Sequence, residues 1–498
     1  MNVNPITRLD YPDPDVIRVE DTYYMVSTTM HFMPGCEILQ SFDLVHWEHV
    51  TYVYETLDHT DAQQLKSGHN IYGQGMWAAS LRYHEGRFYI CFVANDTRKT
   101  YLYTSEKIDG PWKKQLIEGF YHDGSLLFDE DGRNYIVYGN DEIWITELNE
   151  DLTAPKKDGL HRLLVSDHKN PELGYEGSHI QKINGYYYIF LVHSLRDRWM
   201  RTEACFYSDS LEGEFTGGDV LCDDRGYCGQ GVAQGGIVDT PDGKWYAMLF
   251  QDSGAVGRIP ILLPVTWKDH FPVFGQNGHV PEEIEVHSTR PGYIYQPLVG
   301  SDDFCNGLLP RWQFNHDPDP QYYHLDALQG TYTITTREVC TELTQAVNTL
   351  TQRMSYPSCA AEVTVDASAL KEGDVAGLCA LQGCYAAVGI TKHHGKYEVL
   401  MLDKKEDGIL DMTEGTVVES HQMDFRLEAD FCNMKDEARC YYRVNKGDWL
   451  PIGTVHKLYF KLDHFTGCRF GLFCYAAEET GGSACFRDFK YYDVDEIS

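Results

Sequence analysis

Short runs in which apolar and polar residues alternate recur along the chain, and this period of two is typical of β-strands. The first two runs, Val16-Ile17-Arg18-Val19 and Tyr23-Tyr24-Met25-Val26-Ser27, are separated by a turn at Glu20-Asp21 and predict a hairpin. Similar hairpins follow throughout, so the sequence predicts an all-β protein.

One hairpin motif is repeated in the first part of the chain. It consists of a turn residue, two aromatic or bulky residues, and then apolar alternation. The five copies are Asp21-Thr22-Tyr23-Tyr24, Gly86-Arg87-Phe88-Tyr89, Gly132-Arg133-Asn134-Tyr135, Gly185-Tyr186-Tyr187-Tyr188 and Gly243-Lys244-Trp245-Tyr246. Spacings of roughly 45–65 residues fit the four-stranded blades of a β-propeller. A β-sandwich with many hairpins is the alternative, but a sandwich rarely repeats one aromatic hairpin five times. We therefore predict a five-bladed β-propeller over residues 1–297.

A second domain is predicted over residues 298–498, after the Pro-containing connector Thr289–Tyr293. Short alternating strands continue there without long helical periodicity, which indicates a β-sandwich. Asp302, Asp303 and Asp488 could hold a structural Ca²⁺, a cation that prefers several oxygen ligands. Solvated turn aspartates are the alternative interpretation.

Composition and charge restrict the partners and the location. The chain has 75 acidic and 42 basic residues among its 498, a formal net charge of −33. Nucleic acids and anionic membranes are polyanions, so we expect neither as a partner. Aromatic residues make up 13% of the chain, as is common in proteins that stack on sugars. The 15 cysteines have no CxxC spacing, and we see neither a signal peptide nor an apolar run of membrane-spanning length, so we expect a cytoplasmic protein with reduced thiols.

Three carboxylates occupy the same position in three predicted blades. Asp13 lies between Pro12 and Pro14, which restrict its backbone, and Asp123 and Glu176 each directly precede an apolar strand. Each lies about ten residues before the hairpin motif of its blade. Any one of them alone would be read as a solvated loop acid. Together they predict a carboxylate cluster in the channel, suited to acid–base cleavage of a glycosidic bond, with Glu176 as the acid and Asp13 as the base.

The motifs that contain these residues resemble those of glycoside hydrolase family 43, the β-xylosidase and α-L-arabinofuranosidase group. The matching stretches are Tyr11-Pro12-Asp13-Pro14-Asp15, His122-Asp123-Gly124-Ser125-Leu126, Glu176-Gly177-Ser178-His179-Ile180, Gly257-Arg258-Ile259-Pro260 and, in the C-terminal half, Asn348-Thr349-Leu350-Thr351-Gln352-Arg353. The resemblance implies that Asp13 is the general base, Asp123 the pKa modulator and Glu176 the general acid. It also implies inversion of the anomeric centre, with acid and base about 6.5–9.5 Å apart, and a concanavalin-like C-terminal sandwich.

The same resemblance implies several substrate contacts. Trp77 would be a sugar platform, although a core tryptophan is the alternative, and Phe32 would be an aromatic wall. Arg258 would donate to substrate hydroxyls or to Asp123. Gln234 stands where many members have a histidine that helps to hold a channel cation, so a channel Ca²⁺ is in doubt. We expect no required cofactor and assign no metal ligand.

The expected activity is exo-hydrolysis that removes terminal β-1,4-linked xylose from xylo-oligosaccharides. An α-L-arabinofuranosidase or bifunctional enzyme acting on arabinosyl oligosaccharides is the alternative, and a non-catalytic carbohydrate-binding propeller is a more distant one. A glycoside phosphorylase would need a basic phosphate pocket, and the sequence shows no Arg, Lys or His cluster near the three acids. Similar enzymes are often dimers or tetramers, so a homo-oligomer is left open.

Overall fold

The computed structural model describes residues 2–461, 464 and 466–493, and nearly all regular structure in these ranges is strand. The helical segments there are single 3₁₀ turns at Lys66–Gly68, Gly254–Val256, Leu343–Gln345 and Cys432–Met434. None of the described helices has the length and apolar character needed to cross a bilayer. The predicted all-β fold class is confirmed.

The first half of the described chain contains five four-stranded antiparallel sheets. In chain order its strands are β1 (Asn2–Val3), β2 (Asp15–Val19), β3 (Thr22–Ser27), β4 (Phe32–Met33), β5 (Gly35–Ser41), β6 (Glu48–Tyr54), β7 (Met76–His84), β8 (Arg87–Ala94), β9 (Lys99–Ser105), β10 (Lys113–Ile117), β11 (Ser125–Phe128), β12 (Asn134–Asn140), β13 (Glu142–Leu148), β14 (His161–Ser166), β15 (Glu176–Ile183), β16 (Tyr186–Ser194), β17 (Arg201–Ser208), β18 (Thr216–Leu221), β19 (Ala233–Asp239), β20 (Trp245–Asp252), β21 (Arg258–Lys268), β22 (Phe271–Phe274) and β23 (Glu283–Ile284). Blade 1 is β2-β3-β5-β6, and blades 2 to 5 are β7–β10, β11–β14, β15–β18 and β19–β22.

Each predicted hairpin motif lies at the turn between the first and second strands of its blade. Its aromatic residues pack between blades; Tyr23 and Tyr135, for example, are fully buried. The propeller is joined end to end by pairing of β1 with β23, where Val3 lies opposite Glu283. The predicted five-bladed propeller is therefore confirmed.

The second half contains the strands β24 (Gln313–Asn315), β25 (Tyr323–Asp326), β26 (Thr331–Thr335), β27 (Leu350–Arg353), β28 (Ser358–Asp366), β29 (Val375–Leu381), β30 (Ala386–His393), β31 (Lys396–Lys404), β32 (Leu410–Met412), β33 (Thr416–Val418), β34 (Gln422–Asp430), β35 (Glu437–Val444), β36 (Leu450–Lys457), β37 (Arg469–Tyr475) and β38 (Ser483–Asp493). They form one sheet of order β32-β31-β30-β29-β37-β27-β24-β4, in which β33 also pairs with β31, and a second of order β25-β26-β38-β28-β34-β35-β36. A shared core of buried apolar residues, including Trp312, Phe425 and Phe470, lies between the sheets.

Two connections fix the sandwich to the propeller near the start of the chain. Strand β4 leaves blade 1 and pairs with β24, so that Phe32 lies opposite Asn315. The buried carboxylate of Asp10 accepts a hydrogen bond from the Arg258 N–H at 2.7 Å and from the Gly467 N–H at 2.7 Å. One propeller side chain thus holds backbone from both halves.

The first strands of the five blades surround the propeller axis and are neighbours of one another. Between them the channel is filled by a buried network centred on Asp15. Its Oδ2 accepts hydrogen bonds from the Leu81 N–H and from Arg82 Nη1, at 2.7 and 2.8 Å, and its Oδ1 lies 3.1 Å from His179 Nδ1. This network separates the two ends of the channel.

Candidate active site

A cavity of about 230 Å³ opens at the channel end where the innermost strands begin. It is lined by Asp13, Trp77, Ala78, His122, Asp123, Asn140, Leu173, Glu176, Trp199, Arg201, Gln234 and Arg258. Six of the seven residues singled out from the sequence are in this set, and all five blades contribute. The three carboxylates that are far apart in sequence therefore meet at one cavity.

Local backbone geometry turns these side chains towards the cavity. Asp13, Asp123 and Gln234 have positive φ angles of 51°, 47° and 65°. Such conformations cost about 1–3 kcal/mol in residues other than glycine and cluster at functional sites. A positive φ turns the side chain away from the direction it would have in a regular strand.

Bulges at the beginning of three innermost strands have the same effect. The pairing of each with the next strand of its blade is interrupted between Met76 and Ala79, between Glu176 and His179, and between Ala233 and Gly236. A bulge leaves residues outside the ladder and re-aims their side chains. The sequence stretches that hold Trp77, Glu176 and Gln234 are thereby directed at the axis.

Asp13 is held rigidly. Its side chain is nearly buried; Oδ2 accepts a hydrogen bond from the Thr28 hydroxyl at 2.6 Å, and Oδ1 accepts one from Arg258 Nη1 at 2.8 Å. Arg258 was expected to contact substrate hydroxyls or Asp123, and the structure instead pairs it with Asp13. These two donors fix the orientation of the Asp13 carboxylate.

Asp123 and Glu176 are linked by the imidazole of His122. Its Nε2 lies 3.5 Å from Asp123 Oδ2 and 3.4 Å from Glu176 Oε2. Asp123 Oδ2 also accepts the Gly177 N–H at 3.0 Å, and Glu176 Oε2 accepts a hydrogen bond from Asn140 Nδ2 at 2.7 Å. The Glu176 side chain keeps 20% of its surface exposed, against 7% for Asp123. Glu176 is thus the more accessible of the two carboxyls.

The charges of this group shift its pKa values in different directions. Burial lowers the pKa of His122, but the carboxylates of Asp123 and Glu176 outweigh burial and raise it to about 9. Burial, aided by the charges of Glu176 and Asp13, raises the pKa of Asp123 to about 6. Burial also opposes ionisation of Glu176, but His122 and two nearby arginines outweigh it and lower its pKa. The pKa values of the two neighbouring acids are thus separated, and the raised value belongs to Asp123 rather than to the candidate acid Glu176.

Two arginines share one carboxylate at the back of the cavity. Asp252 is hydrogen-bonded to Arg201 Nη1, and its Oδ1 lies 3.3 Å from Arg258 Nε. Both guanidinium groups lie over the ring of Phe250, at 5.3 and 4.7 Å from its centroid. The inference that no basic cluster lies near the acids is therefore wrong, because the cations come from blades 3, 4 and 5 rather than from one stretch of sequence.

Phe32 does not line this cavity. It is 1% exposed, lies in β4, and has the guanidinium of Arg469 3.5 Å from its ring centroid. It belongs to the contact between propeller and sandwich, so its predicted role as a substrate wall is not supported by its position.

Gln234 lies against the backbone beside Glu176. The ideal Cβ of an alanine at Gly177 would be 2.7 Å from Gln234 Cγ, and Gly177 has a φ of 65°, so only glycine fits there without strain. The Gln234 N–H donates to Glu203 Oε2 at 2.7 Å. Gln234 thus packs against the residue that follows the candidate acid.

Six cavity residues were not assigned a role from sequence: Ala78, His122, Asn140, Leu173, Trp199 and Arg201. His122 adjoins Asp123 within a quoted motif, so its proximity was available as a signal. Asn140 ends the second strand of its blade, and Arg201 begins a third strand. Positions on second and third strands carry no local sign that they reach the axis.

The possible cation sites differ in their chemistry. His122, Asp123 and Glu176 have ligand-type atoms within 4.8 Å of one another, and because the neighbouring carboxylates raise the pKa of His122 to about 9, a cation bound there would have to displace a proton from the ring. Asp302, Asp303 and Asp488 do line one cavity, yet the Asp302 oxygens accept the Phe304 N–H and Trp312 Nε1–H, both at 2.8 Å. The Ca²⁺ expectation at these aspartates stays a prediction.

A second cavity of about 430 Å³ lies between propeller and sandwich. Trp199 lines both cavities, and Asp252, which pairs with Arg201 and Arg258 of the first cavity, lines the second. The sandwich contributes Met434, Asp436, Lys457, Leu458, Tyr459 and Phe460. The second cavity therefore adjoins the candidate site and is lined by residues of both the propeller and the sandwich.

Family models match both halves of the chain. The model of glycosyl hydrolases family 43 matches residues 3–272, more than half of the chain, and the model of the beta xylosidase C-terminal concanavalin A-like domain matches residues 301–492. The two matches fall on the propeller and on the sandwich.

Characterised relatives and solved structures agree with these matches. The chain is 27% identical over 555 residues to a beta-xylosidase of Formosa agariphila, covering 99% of this chain and 89% of that protein. It is 26% identical over 347 residues to the non-reducing end alpha-L-arabinofuranosidase BoGH43B of Bacteroides ovatus, covering 66% and 63%. A solved bifunctional GH43-CE protein of Bacteroides eggerthii is 42% identical with a TM-score of 0.91; the match covers 99% of this chain, which spans 63% of that one.

Proposed function

The chain belongs to glycosyl hydrolase family 43, and on this basis we propose that it is an inverting exo-glycosidase that releases terminal β-1,4-linked xylose from xylo-oligosaccharides. The observation that carries the proposal is the meeting of Asp13, Asp123 and Glu176 at a single cavity. An inverting glycosidase needs one carboxyl to protonate the leaving oxygen and another to activate water.

Asp13 is the proposed general base. The hydrogen bonds from Thr28 and Arg258 hold its carboxylate in one orientation, which suits a group that must accept a proton from a water at a fixed position. Pro12 and Pro14 restrict the backbone on either side. A base held in this way loses little entropy when the substrate arrives.

Glu176 is the proposed general acid. It is the more exposed of the two carboxyls that contact His122, so the leaving oxygen can reach it. In the substrate-free site its lowered pKa keeps it ionised, while Asp123, with a pKa of about 6, retains a proton to higher pH. Glu176 must therefore gain a proton before bond cleavage, and Asp123 tunes that step by its charge.

The size and lining of the site support action on one terminal sugar. At about 230 Å³ the cavity is smaller than pockets for drug-sized ligands, which are about 300–1,000 Å³. Trp77 and Trp199 offer aromatic surface to a sugar ring. The larger cavity beyond Trp199 leaves room for further sugar units between the two halves.

An α-L-arabinofuranosidase, alone or combined with xylosidase activity, is the second candidate. The relatives include both a beta-xylosidase and a non-reducing end alpha-L-arabinofuranosidase. A phosphorylase is less well supported, because His122, Arg201 and Arg258 already face carboxylates that would compete with phosphate.

The test is hydrolysis of xylobiose, xylotriose and the 4-nitrophenyl β-D-xylopyranoside and α-L-arabinofuranoside, with the anomer followed by NMR. We expect xylose release from the non-reducing end, with the α-anomer formed first. Xylose that is released first as the β-anomer would refute inversion, and inactivity on both glycosides would refute the proposed function. A rate that depends on phosphate would favour the phosphorylase.

A further inference from the structure

A single imidazole nitrogen faces both carboxyls at the centre of the site. His122 Nε2 lies 3.4 Å from Glu176 Oε2 and 3.5 Å from Asp123 Oδ2. Charge-assisted N–H···O bonds are usually about 2.7–2.9 Å long. Both separations are longer than that, and the hydrogen bond that His122 Nε2 makes is the long one to Glu176 Oε2.

The ring is also held from the side. Trp77 meets His122 edge to face at 5.8 Å between ring centroids, and the His122 side chain is 20% exposed. Asn140 Nδ2 donates to the same Oε2 of Glu176, at 2.7 Å. Two N–H groups from separate blade elements therefore converge on Oε2. A carboxyl held through Oε2 in this way presents Oε1 as the oxygen that carries the transferable proton.

We propose that His122 is a positioning residue that orients Glu176 through Oε2 and sets the upper pH limit at which Glu176 still carries its proton. The inference rests on the proposed function, in which Glu176 is the acid. Burial raises the pKa of Glu176, and a cationic imidazole offsets that rise. Because His122 lowers the pKa of Glu176, it also lowers the pH above which the acid has lost its proton.

Charged side chains from four of the five blades surround His122 and Glu176. They are Asp13 on blade 1, Asp123 on blade 3, Arg201 on blade 4 and Arg258 on blade 5, whereas blade 2 contributes the uncharged Trp77. Removing His122 takes away one cation beside Glu176 but leaves the two arginines in place. The pKa of Glu176 is therefore expected to rise, but only in part. A moderate upward shift of the basic limb of the pH–rate profile follows.

The test compares His122→Gln and His122→Phe on two substrates. Xylobiose has a poor leaving group that needs protonation, whereas 2,4-dinitrophenyl β-D-xylopyranoside needs almost none. We expect kcat/KM of His122→Phe to fall about 10²-fold on xylobiose and less than about 5-fold on the dinitrophenyl substrate. His122→Gln keeps one N–H donor without charge, so it should lose less rate but show the same upward shift of the basic limb.

His161→Gln is the matched control. His161 is exposed, stacks on Trp144 at 5.2 Å and lies outside the cavity, so neither the rate nor the pH profile should change. Equal losses on both substrates with an unmoved basic limb would reduce His122 to a structural residue and overturn the proposal, while the proposed function would stand.

An NMR titration gives a readout that does not depend on activity. The His122 imidazole, assigned by its absence in His122→Gln, should titrate well above the usual value of about 6.5 and fall in Glu176→Gln. Titration at or below 6.5 would overturn the proposal even if the enzyme hydrolysed neither substrate. Inactivity of the wild type together with a high His122 pKa would refute the proposed function alone.

Discussion

The two ends of the propeller channel are lined by the same five innermost strands but differ in how their charges are matched. At the far end a cavity of about 450 Å³ is nearly twice as large as the candidate active site. Arginine and lysine carry cationic charge there: Arg18 Nη2 lies 2.5 Å from Asp239 Oδ2, and Lys182 Nζ lies 2.7 Å from Asp129 Oδ1 and 3.2 Å from Glu130 Oε2. Each of these two cations has at least one carboxylate within 3.2 Å.

At the active end the partners are shared. One imidazole faces Asp123 and Glu176, and one carboxylate, Asp252, faces two arginines. The pKa of His122 is raised to about 9 and that of Asp123 to about 6, whereas at the far end pairing lowers the pKa of Asp129 and raises that of Lys182. The comparison teaches that groups whose pKa values lie near neutral pH, rather than cavity volume, distinguish the reactive end.

Removal of the proposed acid should give the largest effect. Glu176→Gln keeps the size of the side chain and an oxygen for the Asn140 hydrogen bond, but it cannot donate a proton to the leaving oxygen. We expect kcat on xylobiose to fall about 10³-fold. Glu130→Gln, which changes an acid at the far end, should keep wild-type activity. Equal activity of wild type and Glu176→Gln would remove the difference between the two ends.

Asp123→Asn should lower activity and raise stability. A carboxyl whose pKa rises from 3.8 to about 6 on folding costs stability above pH 6, and this cost disappears below about pH 4, where folded and unfolded states are both protonated. The free energy of unfolding of the variant should therefore be higher than that of the wild type by up to about 3 kcal/mol at pH 8 and unchanged at pH 3.5. Its oxygen can still accept the Gly177 N–H.

Thermal unfolding at the two pH values measures this effect on stability. The kcat/KM of the variant should fall by about 10²-fold, as expected for loss of a group that tunes acid–base catalysis. A Tm that drops at pH 8 as much as at pH 3.5 would show that Asp123 stabilises the fold through its charge, contrary to the argument above.

The smallest effect is expected at the far end. Asp239→Asn removes the partner of Arg18, whose side chain is 23% exposed. Partly exposed ion pairs contribute about 0–1 kcal/mol to stability. The free energy of unfolding should therefore change by less than about 1 kcal/mol, and kcat/KM should not change. A loss of activity on xylobiose would mean that the Asp15 network transmits changes between the two ends.

The sequence was sufficient to predict features that depend on the position of a residue relative to nearby strands. The phase of Asp13, Asp123 and Glu176 relative to the hairpin motifs follows from the position of each residue before an innermost strand, and a propeller brings such positions together. Phe32 shows the limit. The family resemblance implied a cavity wall, but β4 pairs with β24, a strand almost 300 residues away in the chain, and this non-local pairing turns Phe32 into the contact between the halves.

The cationic side of the site was predicted only in part: the family resemblance named Arg258 but with other partners, and Arg201 was not named at all. Arg201 and Arg258 lie on third strands of their blades, and both contact Asp252 at the end of β20. No spacing along the chain reports such a three-residue arrangement. His122 was the exception, since it adjoins Asp123 directly.

Asp10 has a consequence for how this protein can be cut or recombined. With one oxygen on the Arg258 N–H and the other on the Gly467 N–H, it joins the strand that carries an active-site arginine to the loop before β37. A propeller expressed without residues 298–498 would leave this buried carboxylate half-solvated and would loosen the backbone of Arg258. Chimaeras made by exchanging sandwiches between relatives would therefore need to keep the Gly467 loop together with Asp10.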